Sequence, residues 1–200
     1  MDAVLLACAS AFLFGAMTVA LRYSLRRNTD AELGALLTVV PALAVALSFV
    51  AADVARHGVP ELVGLWPFLA AGVLGPGLSQ LFFTLAVRDA GPSRTSVVVG
   101  TAPLFAVAIA LVFLGEPLEA GLVAGALLVV GGGVLLAGER GRPGHVKLAG
   151  LALALLATVV FATRDNLVRW LSGDTEVAPS LAAAATLSAG GLVILGWLLV

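Results

Sequence analysis

Long uncharged apolar stretches alternate with short charged segments along the chain. Five of them are bounded by charged residues, at 3–21, 33–52, 62–87, 95–115 and 120–138. A sixth begins after Lys147 and runs to Arg164, and a seventh begins near Pro179 and is still apolar at Val200. Roughly 20 apolar residues let a helix cross the hydrocarbon core, whereas barrel strands need an alternation that is absent here. The pattern predicts an all-α integral membrane protein, a polytopic bundle of about seven helices.

Proline and glycine add detail to these helices. Pro41, Pro76 and Pro103 lie near the middle of the second, third and fourth stretches, where proline removes a backbone hydrogen bond and bends a helix. Such bends either shape a cavity or serve packing. Small residues allow helices to approach closely in lipid, so the fifth stretch is predicted to pack through its glycines, which are Gly121, Gly125, Gly131, Gly132 and Gly133.

Composition excludes several classes of function. The sequence is 60% hydrophobic and 12% charged with a formal net charge of -1, which favours a membrane protein and gives no basic surface for nucleic acid. One cysteine and two histidines cannot supply a disulfide or a Cys/His metal site, so no metal and no cofactor is expected. "LLACASA" loosely resembles a signal cleavage region. However, hardly any apolar residues precede Cys8, which predicts a retained first helix.

The first and sixth stretches contain a weak internal repeat. Aligning "FGAMTVALRYSL" with "FATRDNLVRWLS" pairs Phe14 with Phe161 and Arg22 with Arg169 at one offset, 161 - 14 = 169 - 22 = 147. The same offset carries Leu33, where the second stretch begins, to Ser180, close to where the seventh begins. We therefore predict a complete five-helix repeat over residues 1–140 and a partial second repeat of two helices over residues 147–200.

The orientation of the repeats follows from the helix number and the charges. Because five is odd, the second repeat enters the membrane from the opposite face, an inverted arrangement that transporters use to place a substrate site between halves. Basic residues fall mainly on one predicted side, which the positive-inside rule makes cytoplasmic and which places the N-terminus outside. That side carries Arg22, Arg26, Arg27, Arg88, Arg94, Arg140, Arg142 and Lys147, against Arg56 and Arg169 on the other.

The stretch from "FFTLAVRDAGPSRTS" to "LVFLGEPLEAGLVAGALLVVGGGVLLAGE" resembles the EamA-type branch of the drug/metabolite transporter superfamily. The residues that carry the resemblance are a hinge motif, a proline and an "L-G-E" sequence, namely Ala86, Arg88, Ser93, Ser96, Pro103, Leu114, Gly115 and Glu116. The resemblance implies ten helices in two repeats and movement of small metabolites without nucleotide hydrolysis. It also implies that this sequence stops in the second repeat and that both ends face the cytoplasm, opposite to the charge count.

Charged residues in the sixth stretch are the first candidates for a substrate site. A charge inside the membrane is costly, so Arg164 and Asp165, with Asn166 beside them, are predicted to face a substrate, with Asp165 also able to carry a proton. An alternative interpretation pairs Asp165 with Arg169, four residues on, while Arg164 snorkels to the interface.

Polar and aromatic residues in the first and third stretches form a second candidate group. Gln80, Phe83 and Thr84 share one helix face and are interpreted either as a cavity wall or as interhelical contacts. Phe14 and Thr18 belong to the same group, although a threonine in a helix commonly bonds to its own backbone.

The function predicted from these features is secondary transport, and export in particular, of a small metabolite across the plasma membrane of a prokaryotic cell. No nucleotide-binding motif is present, and His57 and His145 lie in loops, which disfavours both a pump and an intramembrane enzyme. A non-transporting assembly or sensor subunit is the alternative. The expected partners are a small-molecule substrate, lipid, protons, and either the remaining helices of the second repeat or a homodimer partner.

Overall fold

Seven helices make up most of the part of the chain that the structure describes. The structure is a computed structural model and describes residues 2–27, 30–60, 62–115, 117, 119–137, 148–171 and 175–199. The helices are α1 (Asp2–Arg27), α2 (Ala31–His57), α3 (Trp66–Ala90), α4 (Pro92–Phe113), α5 (Ala120–Ala137), α6 (Leu148–Leu171) and α7 (Pro179–Leu198). All except α5 are long and apolar enough to cross a membrane, and α5 has a shorter apolar section, Ala120–Gly133. The predicted all-α polytopic fold is confirmed.

Helix ends reach beyond the apolar stretches. The first helix continues through Arg26 and Arg27, because long basic side chains extend to water while their stems stay on apolar surface. The second helix starts where the side chain of Asp30 accepts a hydrogen bond from the backbone N–H of Leu33.

The predicted repeat boundary between residues 138 and 147 lies outside the described residues, as do Arg140, Arg142, His145 and Lys147.

Two of the three helix prolines coincide with irregular backbone. Helix α3 consists of an α-helical part Trp66–Gly72, a π-helical turn Val73–Ser79 and a second α-helical part Gln80–Ala90. Pro76 lies in the π turn, where it cannot donate the regular hydrogen bond. Helix α4 is interrupted at Gly100 and Thr101, just before Pro103, whereas α2 continues through Pro41. The expected loss of regular helical backbone is therefore present at Pro76 and close to Pro103, but not at Pro41.

Helix α7 packs against α2 and against the π turn of α3, and α6 packs against α3 and α4. Two apolar clusters lie within this arrangement. One contains Ala35, Leu81 and Ile194, and the other contains Leu21, Phe83 and Ala157. Close contact between helices is the main source of cohesion inside lipid, so these helices form the stable centre of the described chain.

Glycines permit the closest approaches between these helices. A Cβ atom on Gly72 would lie 2.2 Å from the carbonyl oxygen of Thr186, and one on Gly190 would lie 2.6 Å from Cγ of Pro76. On Gly150 it would lie 2.7 Å from the backbone nitrogen of Ala90. The backbones of α3, α6 and α7 meet at these positions, so a side chain there requires the helices to separate.

For the described residues, the prediction that the α5 glycines pack closely against another helix is wrong. A Cβ atom on Gly121, Gly125 or any of the three glycines 131–133 would meet nothing within 4 Å among the described residues. The glycine spacing identified a helix that can be approached closely, but the spacing does not say whether a neighbour is there. Gly121 and Gly125, which are four residues apart, leave one face of α5 open among the described residues.

One polar contact joins the ends of α2 and α7. The hydroxyl of Ser180 donates a hydrogen bond to Oδ2 of Asp53, and both residues are half-buried. Hydrogen bonds to charged groups contribute about 1.5–3 kcal/mol. This contact therefore helps to hold α7 against α2.

We expect Ser180→Ala to lower the thermal stability of the detergent-solubilised protein by a contribution of about 1 kcal/mol, because Asp53 loses its donor but keeps partial access to water. Ser48→Ala is the matched control, since the hydroxyl of Ser48 is exposed and bonds within its own helix to the carbonyl of Val45. Equal unfolding temperatures for the two variants would show that the Ser180 bond contributes nothing.

Candidate functional site

The charged pair predicted at membrane depth is present on α6. Nη1 of Arg164 lies 2.7 Å from Oδ1 of Asp165, and the two side chains are 34% and 61% exposed. Arg164 lies roughly 10 Å along the helix from its end at Leu171, at about 1.5 Å per residue. The ion pair that the structure shows for Asp165 is with its neighbour Arg164, so the alternative pairing with Arg169 predicted from the helical spacing is wrong.

This pairing depends on the path of the arginine side chain. Adjacent residues on a helix point in different directions, so an ion pair between them requires one side chain to bend around the helix. The stem of Arg164 lies against Gly75 in the π turn of α3, where an added Cβ atom would be 3.0 Å from Nε and 3.3 Å from Cγ. Helix α3 therefore provides the surface along which Arg164 reaches Asp165.

Asn166 connects α6 to α4. Its Nδ2 donates to the carbonyl of Ala106 at 3.2 Å and to the carbonyl of Ala162 at 2.9 Å. The side chain is buried, and its two amide hydrogens are bonded within the protein. Asn166 thus fixes the position of α6 directly beside the charged pair.

A crevice of about 400 Å³ lies between α4, α5 and α6 and reaches this polar group. Its wall is almost entirely apolar and is formed by Pro103, Ala106, Val107, Ala110, Gly121, Leu122, Gly125, Ala126 and Val129. Its polar residues are Asp165, Asn166 and Arg169. The volume falls in the range of small-molecule sites, which combine an apolar lining with a few polar groups that fix orientation. The open face of α5 is what leaves this space.

The second candidate group lies elsewhere, where α1, α2 and α3 meet. Nε2 of Gln80 donates to Oγ1 of Thr38 on α2 at 2.9 Å, and the ring of Phe83 is fully buried with its centroid 5.5 Å from that of Phe14. None of these residues lines the crevice. Of the two interpretations of Gln80, the structure shows the interhelical hydrogen bond.

The threonines of this group bond to their own helices, as one of the two interpretations had it. Oγ1 of Thr18 donates to the carbonyl of Phe14 at 2.8 Å, and Oγ1 of Thr84 donates to the carbonyl of Gln80 at 2.8 Å. Both side chains are buried. Only Phe14 in this group has an exposed side chain, at 40%.

We expect Gln80→Leu to lower stability only slightly, by about 0.6 kcal/mol, the average value of an interhelical hydrogen bond in a membrane protein. A double-mutant cycle with Thr38→Val, read by thermal unfolding, isolates this energy, and Thr163→Val serves as a control because that hydroxyl bonds within its own helix. A coupling energy of zero would show that the bond between Gln80 and Thr38 does not stabilise the contact between their helices.

The motif residues between α3 and α4 form a tight connection. Gly91 alone separates the two helices and has a φ of +83°, a conformation that favours glycine. Ala86 is buried, and Nε of Arg88 lies 3.2 Å from Oδ1 of Asp89. Gly115 follows α4 with a φ of +66°. Ser93 and Ser96 are exposed on the first part of α4, and Glu116 lies outside the described residues.

Comparison with known proteins adds a family relationship. The model of the EamA-like transporter family matches residues 1–138, which is more than half of the chain. No curated protein matches the sequence. The matched segment contains α1 to α5, so the candidate charged pair on α6 lies outside it.

Proposed function

We propose that this chain, which belongs to the EamA-like transporter family, is a secondary transporter that exports a small metabolite across the plasma membrane of a prokaryotic cell. Membership of this family supports membrane transport of the drug/metabolite type. The proposal goes further in naming a mechanism, in which residues 1–140 and the repeat that begins at residue 147 move relative to each other. Alternating exposure of a site between two such repeats is how inverted-repeat transporters work.

The observation that carries the proposal is the ion pair of Arg164 and Asp165 beside the crevice. A charged group held inside the membrane is expensive and usually faces a substrate path or carries a coupling ion. Here the carboxylate of Asp165 is 61% exposed at an apolar crevice of about 400 Å³. That combination favours a substrate with a polar or charged group and an apolar body.

Each residue then has a distinct role in the proposed mechanism. Asp165 contacts the polar group of the substrate and carries a coupling proton, while Arg164 compensates its charge when no substrate is bound. Asn166 keeps α6 against α4 through the carbonyl of Ala106, so that movement of α6 is transmitted to the crevice wall. Gln80, Phe83, Phe14 and Thr18 support this movement as the contact surface of α1, α2 and α3.

The test is transport by the complete protein in lipid vesicles, with a pooled panel of metabolites read by mass spectrometry. We expect at least one solute to cross the membrane faster than in vesicles without protein, without ATP. Asp165→Asn should reduce that flux, while Glu119→Gln, an exposed acidic residue before α5, should not. If no solute moves although the protein is folded, a non-transporting assembly or sensor subunit becomes the better account.

A further inference from the structure

We propose that Gly75 is a positioning residue. Because it has no side chain, the stem of Arg164 lies against α3 and the guanidinium group points at Asp165. The inference rests on the proposed function for its importance to transport. Its geometry, however, is independent of any substrate. It concerns a contact between the first and the second repeat, at a position that carries no charge.

The contact between Gly75 and Arg164 is close from Cγ to Nε of the arginine. A Cβ atom on Gly75 would lie 3.0 Å from Nε, 3.3 Å from Cγ and 3.4 Å from Cδ of Arg164. Separations this short are rare between real side chains, so any larger residue displaces the arginine. Glycine therefore leaves Arg164 on its present path without a shift, whereas alanine displaces the stem by a few tenths of an ångström and a larger residue displaces it further.

The π turn explains why Arg164 is held by contact and not by a hydrogen bond to Gly75. The carbonyl of Gly75 accepts from the backbone N–H of Gln80, as the π turn requires, and also from the hydroxyl of Ser79. Both of its lone pairs are thus used. Nε of Arg164, buried beside it, has no hydrogen-bond partner among the described residues. The shape of the turn, more than its polarity, directs the side chain.

The turn cannot easily move away from the arginine. On its other side it packs against α7, where a Cβ atom on Gly190 would lie 2.6 Å from Cγ of Pro76 and 2.8 Å from the backbone nitrogen of Gly77. Backbone contacts of this kind resist displacement much more than side-chain contacts do. The π turn is therefore fixed by α7 at Pro76 and Gly77, next to the glycine that contacts the stem of Arg164.

The test measures the charge near residue 165 without using a substrate. In a Cys8→Ser background, Asp165→Cys places the only thiol next to Arg164, and its reaction rates with an anionic and a cationic methanethiosulfonate are compared in vesicles. With Gly75 present, the guanidinium group should favour the anionic reagent by roughly five- to tenfold relative to the Arg164→Gln variant. Gly75→Val should remove most of this preference, and Gly75→Ala should reduce it.

Controls separate positioning from folding and from transport. Gly196→Val adds the same side chain on α7, where a Cβ atom meets nothing within 4 Å, and should leave the reagent preference unchanged. If Gly75→Ala and Gly75→Val keep the preference that Arg164→Gln removes, or if Arg164→Gln has no effect, the inference is wrong. The same holds if Gly196→Val acts like Gly75→Val. None of these outcomes depends on whether the chain transports a solute.

In the parent sequence, with Asp165 intact, the contact between Gly75 and Arg164 should also affect the rate of transport. Once a transported solute is known, Gly75→Val should raise the substrate concentration for half-maximal transport, because Asp165 and Arg164 lose their relative position. Gly75→Val combined with Arg164→Lys, in which a flexible methylene and a compact ammonium group replace the rigid planar guanidinium group, should recover part of the loss. A folding defect alone predicts lower amounts of protein without such recovery.

Discussion

Gly72→Ala is expected to disrupt the packing of α3 against α7, with a loss of about 3 kcal/mol or more. The added methyl group would lie 2.2 Å from the carbonyl oxygen of Thr186 and 2.8 Å from Cβ of Ala189, so two helix backbones must separate. Overpacking a tight interior costs typically about 1–3 kcal/mol and occasionally more. Thermal unfolding in detergent, followed by size-exclusion chromatography, measures the effect.

Gly72→Ala is expected to change stability in the direction opposite to that of the same replacement in an open helix. In an open helix, replacing glycine by alanine normally stabilises the helix by roughly 0.8–1 kcal/mol. Gly131→Ala on α5 and Gly196→Ala on α7, where an added Cβ atom meets nothing within 4 Å, should therefore be neutral or stabilising. If Gly72→Ala were as stable as these two variants, the described contact between α3 and α7 would be wrong.

Asp165→Asn and Arg164→Ala are each expected to lower transport at least tenfold, a change of about 1.4 kcal/mol in the barrier. Each leaves one charge of the pair without its 2.7 Å partner, and Asp165→Asn also removes the carboxylate at the crevice. Initial rates in lipid vesicles, normalised to the amount of folded protein, measure the effect.

A double variant separates the transport role from simple charge balance. Arg164→Gln with Asp165→Asn removes both charges, so insertion and stability should recover toward the parent protein, whereas transport should not. Removing both members of a buried pair is commonly far less harmful than removing one. A double variant that transports as well as the parent would show that the pair serves only to neutralise itself.

The helices were predictable from sequence because membrane thickness sets their length and hydropathy reports it directly. Pro76 and Pro103, which lack the N–H group that a regular helix needs, indicated the breaks in α3 and α4, although α2 continues unbroken through Pro41. Local bonds such as that from Thr18 to Phe14 follow from the helical geometry of a single segment. Each of these features is decided by residues close together in the chain.

Contacts between helices were predicted less well. The closest approaches occur at isolated glycines such as Gly72, Gly150 and Gly190, whereas the glycine-rich helix α5 has an open face. Nothing in the local sequence says which face of a helix meets a neighbour. The partner of Asp165 shows the same limit, because helical spacing favoured Arg169 and the path of Arg164 depends on Gly75 in a distant helix.

The candidate site was therefore located in part by the sequence. Charge at membrane depth identified Arg164 and Asp165, and the structure adds the crevice beside them. Gln80 and Phe83 were selected for their shared helix face, and the structure places both in contacts between helices. The sequence also contains the signal for Gly75, a glycine next to Pro76 in a membrane helix, but its significance becomes visible only when α6 is in place.

Counterflow in lipid vesicles tests the central claim most directly. Vesicles loaded with an unlabelled solute identified in the metabolite panel are diluted into medium containing the labelled form, with no other gradient. A carrier that exposes its site alternately to the two sides should accumulate the label transiently above the outside concentration, and Asp165→Asn should abolish this overshoot. Equilibration without an overshoot in the parent protein, or an equal overshoot in Asp165→Asn, would contradict the account.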